Sequence, residues 1–532
     1  MANFLKADVT ILRRVSVEST QQADTSSTED GSGTSGIVRR RLSTNIGSPR
    51  TDPEYLVVEA RVTSRLTEEH HFLEIRVALI GGPDAGKSTL LGRLAHGIAD
   101  NGRGKARLNL LRHRHEISTG RTSSISHEII GFTAKGATVN YNTTNISSWQ
   151  EVCESSAKVV TLLDTCGHPR FLKTTISGLT GHAPDYTCLV VDSRVGGVNE
   201  MTREHLALSV ALGLPTFVVV TKMDVATRDQ LRATVTALMG LIRTTGPSAI
   251  PVIVHNEKDL ENIVKRFSDD GAINETKSVA IPILLLSSVT GENVNLLEKF
   301  LFLLPKPSLD NQGSIDSQEP ACYQIEEIYS IPAVASTGEQ QGVLARATNG
   351  MRLYLGPVDR DGSFIPVVVK SIHRQRMSMR SIESGQTATL AIEGPGLSQV
   401  KVRRGMVVLE SDTDPRGTCC QTFEAVIQVL AHDGLFGVGF QGMIHCGSVH
   451  QNARVVGIEL LQTPGQEDEA SETIDNEAHE DFKDQDPVEL QTGSRARVVF
   501  QFCHDVVFMR EGTTVLFRHE GTKCVGKVLR ML

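Results

Sequence analysis

The chain has little that would tie it to a membrane, a secreted scaffold or bulk nucleic acid. No stretch of its 532 residues is long and apolar enough to cross a bilayer. The first residues contain no apolar signal core, and Asp8, Glu18 and Asp24 argue against a transit peptide. Nine cysteines are scattered without a Cys-x-x-Cys pair or metal-ligand spacing, which fits reduced cytosolic thiols better than a disulfide framework. Positive charge is not in excess. Lys and Arg number 54 against 62 Asp and Glu, a net charge of −8, so any contact with RNA must come from local patches. What remains is an ordinary globular composition, 39% hydrophobic and 22% charged, over a length suited to three or four domains.

Four motifs stand in one order. Gly81-Gly82-Pro83-Asp84-Ala85-Gly86-Lys87-Ser88 is a complete G-x-x-x-x-G-K-S phosphate loop. It follows an apolar run ending at Ile80, read as a buried parallel strand, and precedes a short helix predicted over Ser88–Ile98. Glycines let such a loop curl so that its N–H groups face phosphate oxygens, helped by the positive end of the helix dipole. Thr89 extends the same cradle. Lys87 is placed to reach the β- and γ-phosphates and Ser88 to ligate Mg²⁺.

The second motif, Asp164-Thr165-Cys166-Gly167-His168, ends the apolar strand Val159–Leu163. A carboxylate there can hold Mg²⁺ through a water, and Gly167 can bring a bare N–H to the γ-phosphate. His168 is the candidate catalytic residue, able to orient an attacking water or carry charge near the developing anion. The third motif, Thr221-Lys222-Met223-Asp224, follows the strand Phe217–Val220. The Asp224 carboxylate matches the two parallel donors of guanine, while adenine would leave it unpaired. Lys222 can lie over the base, and Thr221 stands where many G proteins carry Asn. The fourth, Ser287-Ser288-Val289, follows the apolar run Ile281–Leu286 and can offer N–H groups to guanine O6. All four fall at carboxyl ends of predicted strands, the edge at which open α/β sheets bind ligands.

Between Gly86 and Asp164, Arg103, Lys105, Arg107, Arg112, Arg114 and Arg121 cluster with His113 and His115, opposed only by Glu116. A first switch loop belongs in this interval, and a basic one suits RNA phosphate. One hydroxyl from it should reach Mg²⁺. Thr122 is the choice, with Ser123 the alternative.

Residues 1–54 lack periodicity and are expected to form a disordered tail, with two basic clusters before serines, Arg13-Arg14-Val15-Ser16 and Arg40-Arg41-Leu42-Ser43, as candidate phosphorylation sites. The nucleotide-binding domain is assigned to 55–308. Short β-rich runs punctuated by Gly and Asp then suggest two β-barrels, 318–412 and 418–532. In the first, Lys370, His373, Arg374, Arg376, Arg380, Lys401, Arg403 and Arg404 could form an RNA-facing strip. In the second, 466–487 is acidic and expected to be a disordered loop.

The Asp-x-x-Gly-His motif resembles that of translational GTPases, the superfamily of elongation factor Tu and elongation factor 1-alpha. Asp84–Gly92, His115-Glu116, Gly120–Ser124, Gly178–Asp185, Met201–Leu206 and Val218–Lys222 are more specifically similar to the GTP-binding protein 1 and 2 family. The resemblance covers about 70–532. It implies an α/β P-loop GTPase domain followed by two β-barrels. It further implies GTP/GDP and Mg²⁺ as cofactors, GTP hydrolysis stimulated by the ribosome, and partners among ribosomes, aminoacyl-tRNA and RNA-decay factors. Elongation, ribosome rescue and linked mRNA turnover are the implied settings, in a monomeric cytoplasmic protein. By analogy Asp84 binds a monovalent cation beside the phosphates. The chain departs from the family at Gly82 and Pro83, and from elongation factor Tu at Arg121, where an apolar residue is usual. Val334–Asn349 also lacks the usual glycine-valine pattern, so no residue is carried over for tRNA binding. The competing expectation is a GTP-dependent scaffold that recruits RNA-decay or quality-control proteins, with hydrolysis incidental.

Overall fold

A computed structural model of the chain describes residues 7–17, 55–64, 72–111, 114, 116, 122–144, 146–245, 249–268, 279–307, 322–331, 334–343, 347–348, 350–382, 385–410, 417–431, 436–462, 490–519 and 521–532. Within the expected N-terminal tail, β1 (Ala7–Val17) pairs antiparallel with β2 (Tyr55–Ser64). Among the described residues the tail thus contributes a strand, and its Val9, Ile11, Val15 and Val17 have the β-branched character strands favour. Arg13, Arg14 and Ser16 lie in that strand. The Arg40–Ser43 cluster and the acidic segment 466–487 lie outside the described residues.

The nucleotide-binding domain is built on β3 (Leu73–Ile80), β4 (Ser126–Phe132), β5 (Thr138–Val139), β6 (Lys158–Asp164), β7 (Tyr186–Asp192), β8 (Thr216–Thr221), β9 (Ala249–Ile253) and β10 (Val279–Leu285). Their order across the sheet is β5-β4-β6-β3-β7-β8-β10-β9. All run in one direction except β4, which is antiparallel to both its neighbours, β5 and β6. Every residue of β6, β7 and β8 is buried, the signature of central parallel strands covered on both faces.

Alternation along β3 divides the core. Val77 and Leu79 join Leu90, Leu91 and Leu94 of α1 (Lys87–His96) on one face. Ala78 and Ile80 join the other face, where they meet Leu179 of α3 (Leu172–Thr180) and Leu206 of α4 (Glu200–Ala211). The short α2 (Trp149–Glu154) precedes β6, α5 (Arg228–Thr245) and α6 (Glu257–Ser268) flank β9, and α7 (Val294–Leu303) follows β10. Helix α1 ends two residues before the expected Ile98, because Gly97 takes a left-handed φ of 64° and caps it. Since β3 has β6 on one side and β7 on the other, strand order reverses there, and the crevice at its carboxyl end is the natural ligand site.

Two barrels follow. In the first, Ile365–Arg374 pairs with both Arg352–Gly356 and Thr387–Glu393, which closes the sheet that also contains Cys322–Ile331, Val334–Val343 and Val407–Leu409. In the second, Thr522–Met531 returns to Thr422–Ala431 and closes a six-stranded barrel. Part of the first barrel's basic strip is turned onto protein. Arg374 is buried against Glu74 of β3, and its guanidinium lies 4.2 Å from the Phe72 ring centroid. Arg376 stacks on Trp149, Lys370 pairs with Glu393, Arg403 with Asp505 and Arg404 with Glu327. Arg374, Arg376 and Arg403 thus fasten the barrel to its neighbours, whereas Lys370 and Arg404 pair within the barrel and, with Arg380 and Lys401, remain exposed, so only part of the expected RNA-facing strip is occupied by protein. Among the described residues no helix is long and apolar enough to cross a membrane.

Candidate nucleotide site

The phosphate loop curls through left-handed φ values at Gly81 (135°), Asp84 (57°) and Gly86 (96°). Gly82 serves a different purpose from the expected one. A Cβ there would stand 2.4 Å from the Asn199 amide, so its glycine permits close packing of the α4 cap. Lys87 is buried, with Nζ donating to Gly81 O at 3.0 Å and Gly82 O at 2.8 Å. Burial pushes its pKa down, and the Asp164 carboxylate pulls it back up. A Cβ at Gly167 would lie 2.3 Å from that ammonium, so only glycine lets the second motif approach so closely.

Three oxygens converge on one point. Ser88 Oγ donates to Asp164 Oδ2 at 2.5 Å and stands 2.9 Å from Thr122 Oγ1, while Thr122 Oγ1 is 3.4 Å from Asp164 Oδ2. Asp164 Oδ1 is buried without a hydrogen-bond partner. Burial raises the pKa of Asp164, and hydrogen bonding from Ser88 together with the Lys87 charge opposes that rise. A small oxygen-seeking divalent cation such as Mg²⁺ fits this donor set and would satisfy the orphaned oxygen. Ser123 goes elsewhere. Its N–H and hydroxyl donate to Glu116 Oε1 at 2.8 and 2.7 Å, joined by the N–H of Ser124.

His168 is half-buried at the start of a short 3-10 turn, Pro169–Phe171. Its Nδ1 accepts from Arg170 N at 3.2 Å, so the neutral ring carries its proton on Nε2.

On the base side, Thr221 Oγ1 donates to Ala85 O at 2.7 Å and to Val191 O at 3.2 Å, tying the third motif to the phosphate loop. A hydroxyl suffices for that bridge. Lys222, at φ 62°, bonds Asp84 O at 2.5 Å and Asp192 Oδ2 at 2.8 Å. Asp224 is exposed at the cleft. Ser287 is buried and its hydroxyl accepts from Val289 N and Thr290 N, so it shapes the turn while Ser288 and Val289 line the cleft.

The cleft encloses about 380 Å³. Pro83, Asp84, Gly86, Lys87, Ser88, Thr89, Thr122, Gly167, His168, Thr221, Lys222, Asp224, Ser288 and Val289 all border it. Gly81, Gly82, Ala85, Asp164 and Ser287 stand behind that wall. Two participants escaped the sequence reading, and two more were read for another role. Asp192 links Lys222 to Arg194 (2.7 Å); burial would raise its pKa, but hydrogen bonds from Arg194 and then Lys222 hold it at about 2. His205 Nδ1 accepts from Gly81 N at 2.8 Å, and burial with the nearby Lys87 charge keeps it neutral. Arg103 and Arg107 border the cleft, where an RNA contact was expected for the loop that carries them. Arg112, His113, His115 and Arg121 lie outside the described residues.

Residues 74–306 match the model of the elongation factor Tu GTP-binding domain. GTP-binding protein 2 of Mus musculus is 38% identical over 482 residues, 90% of this chain and 72% of that protein. The chain belongs to the GTP-binding protein 1 and 2 family of translational GTPases. GTP-binding protein 1 of Xenopus laevis is likewise 38% identical, over 87% of this chain, and the chain spans 64% of that relative's length. Translation elongation factor SelB from Methanococcus maripaludis, solved with the GTP analogue GPPNHP, superposes with a TM-score of 0.54 at 17% identity, covering 87% of this chain and 80% of that one. That likeness is one of fold. As the family model and SelB-type neighbours require, the chain is an α/β P-loop GTPase domain followed by β-barrels.

Proposed function

We propose that this family member binds GTP with Mg²⁺ and hydrolyses it to GDP and phosphate, as a ribosome-stimulated, elongation-factor-like GTPase. The observation that carries the reading is the convergence of Ser88, Thr122 and Asp164 beside Lys87, drawn from three segments that meet only when the first switch loop is folded onto the phosphate loop. Ser88 and Thr122 would hold the cation directly and Asp164 through a water, and Mg²⁺ when bound would supply charge neutralisation at the phosphates. Lys87 and the loop N–H groups bind the phosphates, and Gly167 offers its N–H to the γ-phosphate. Asp224 selects guanine, Lys222 covers the base, and Thr221 and Ser287 hold the surrounding turns. Asp84 stands at the loop tip as the candidate ligand of a monovalent cation.

His168 is assigned the attacking water. With Nδ1 occupied by Arg170 N–H, its neutral ring presents Nε2–H, a donor that can orient the water or the γ-phosphate but cannot take a proton. Its role is thus positional and electrostatic, which fits a slow enzyme awaiting an activator. Ribosomes and aminoacyl-tRNA are the proposed partners, supported by the elongation-factor relatives, and elongation, ribosome rescue or linked mRNA turnover is the proposed setting in the cytoplasm. RNA-decay factors would be partners in the last of these. Steady-state GTP hydrolysis by the full chain, with and without 80S ribosomes and aminoacyl-tRNA, tests the proposal. Stimulation of tenfold or more is expected (about 1.4 kcal/mol off the barrier). GTP binding without any stimulation would favour the scaffold reading instead.

A further inference from the structure

The segment after α1 is built to hold two guanidinium groups over the nucleotide cleft. Asp100 is buried, and its carboxylate accepts from three backbone N–H groups, Gly102 at 2.9 Å, Gly104 at 3.2 Å and Ala106 at 3.0 Å. This closes the chain into a compact turn ending in the 3-10 helix Lys105–Arg107. One side of the turn is fixed to the base-facing loop, since Asp100 N donates to Ser288 O at 3.2 Å. The other side presses on α1 at Gly92, where a Cβ would meet Ala106 O at 2.0 Å. Gly92 lies three residues beyond Thr89, on the same face of the helix and one turn from the phosphate loop.

Arg103 and Arg107 both border the cleft. The Arg107 guanidinium is seated on the bare α-carbon of Gly104 (φ 87°): a Cβ there would stand 2.5 Å from Nε. A loop anchored at the base pocket on one side and one turn from Ser88 and Thr89 on the other spans the stretch where ribose and α-phosphate must lie.

Resting on the GTP-binding reading above, we propose that Arg107 and Arg103 are nucleotide-binding residues that contact the α-phosphate and ribose of the bound guanine nucleotide. A fifth recognition element would thus be supplied by the Asp100–Arg107 turn, and these two basic residues would serve the nucleotide rather than RNA. Guanidinium is suited to this: it is a planar, always charged fork that pairs with phosphate through two bonds.

Affinities of the full chain for fluorescent GDP, with GDP, GMP and guanosine as competitors, test the proposal. Arg107→Ala is expected to weaken GDP and GMP about tenfold and Arg103→Ala, being more exposed, about threefold, with guanosine weakened by only about twofold through the ribose contact alone. Arg107→Lys should recover only part of the loss, because it keeps charge but not the fork. Lys105→Ala, an exposed neighbour that does not border the cleft, is the control and should match the wild type. Thermal melting of each variant without nucleotide separates lost contact from lost fold. Unchanged GDP affinity in Arg107→Ala, or an equal loss for guanosine and GDP, overturns the inference. Failure of the wild-type chain to bind GDP would instead overturn the GTP-binding reading beneath it.

Discussion

Ser88 and Asp164, 76 residues apart in sequence, meet through a 2.5 Å hydrogen bond from hydroxyl to carboxylate, and Thr122 closes the group from the switch loop. The same three oxygens that satisfy one another are those a cation would claim. Thr122→Ala should therefore raise the Mg²⁺ concentration needed for half-maximal GTP hydrolysis, and lower turnover about tenfold to a hundredfold through the lost ligand. Ser123→Ala removes a bond to Glu116 and should leave the Mg²⁺ requirement near that of the wild type. A Mg²⁺ titration of the two variants side by side distinguishes them. A shift in Ser123→Ala alone would reverse the assignment.

Asp224 offers two acceptor oxygens to guanine's two donors. Asp224→Asn replaces one acceptor with a donor, the pattern that xanthine matches with its N1–H and its C2 carbonyl. Loss of a charged pair of hydrogen bonds should weaken GDP by about a hundredfold, while xanthosine diphosphate gains. Competition binding with the two nucleotides reads the change; equal weakening of both would place the base elsewhere.

Burial holds three histidines neutral in the folded chain. His205 beneath the phosphate loop falls to about 3, as does His445 in the second barrel, and His450, which bonds Ser177 Oγ at 3.0 Å, falls to about 4. The unfolded chain binds more protons than the folded chain below pH 6.5. Stability is therefore full above that pH and is lost as pH falls toward these values, by up to about 1.4 kcal/mol per unit for each group. Urea unfolding of wild type and His450→Gln at pH 7.5 and 5.5 should show a gap between the two pH values that is about 1 kcal/mol smaller in the variant. An undiminished gap would contradict the assignment.

The Arg374–Glu74 pair joins the first barrel to β3 with both side chains buried. Removing one partner strands the other charge. Arg374→Ala should cost about 3–5 kcal/mol, while Arg374→Met with Glu74→Leu should restore much of it. Denaturant unfolding of the single and double variants measures the coupling. Additive losses would mean that the pair does not act as a unit.

The gathering of the four motifs at one cleft was legible in sequence because each is contiguous: each motif is one loop after one buried strand, and the strands' apolar runs mark where the loops must gather. Thr122 could be singled out over Ser123 only narrowly, since adjacent hydroxyls look alike until Glu116 folds back on Ser123 and Ser124. Asp192 and His205 escaped because their roles depend on partners 30 and 124 residues away in sequence, through bonds that no local pattern encodes, and Arg107 was read for RNA because its place at the cleft appears only in the fold. The same limit explains the first barrel's arginines. A basic strand looks ready for RNA until tertiary packing supplies Glu74, Trp149 and Asp505 as partners.

The central claim is that His168 serves hydrolysis and not binding. The most direct measurement is GTP affinity and ribosome-stimulated GTP turnover in wild type and His168→Ala, at one Mg²⁺ and salt concentration. The account predicts GTP affinity within about twofold of the wild type and stimulated turnover reduced at least about a hundredfold, the scale on which a positioned acid–base or orienting group contributes. Stimulated turnover that survives the substitution would contradict it.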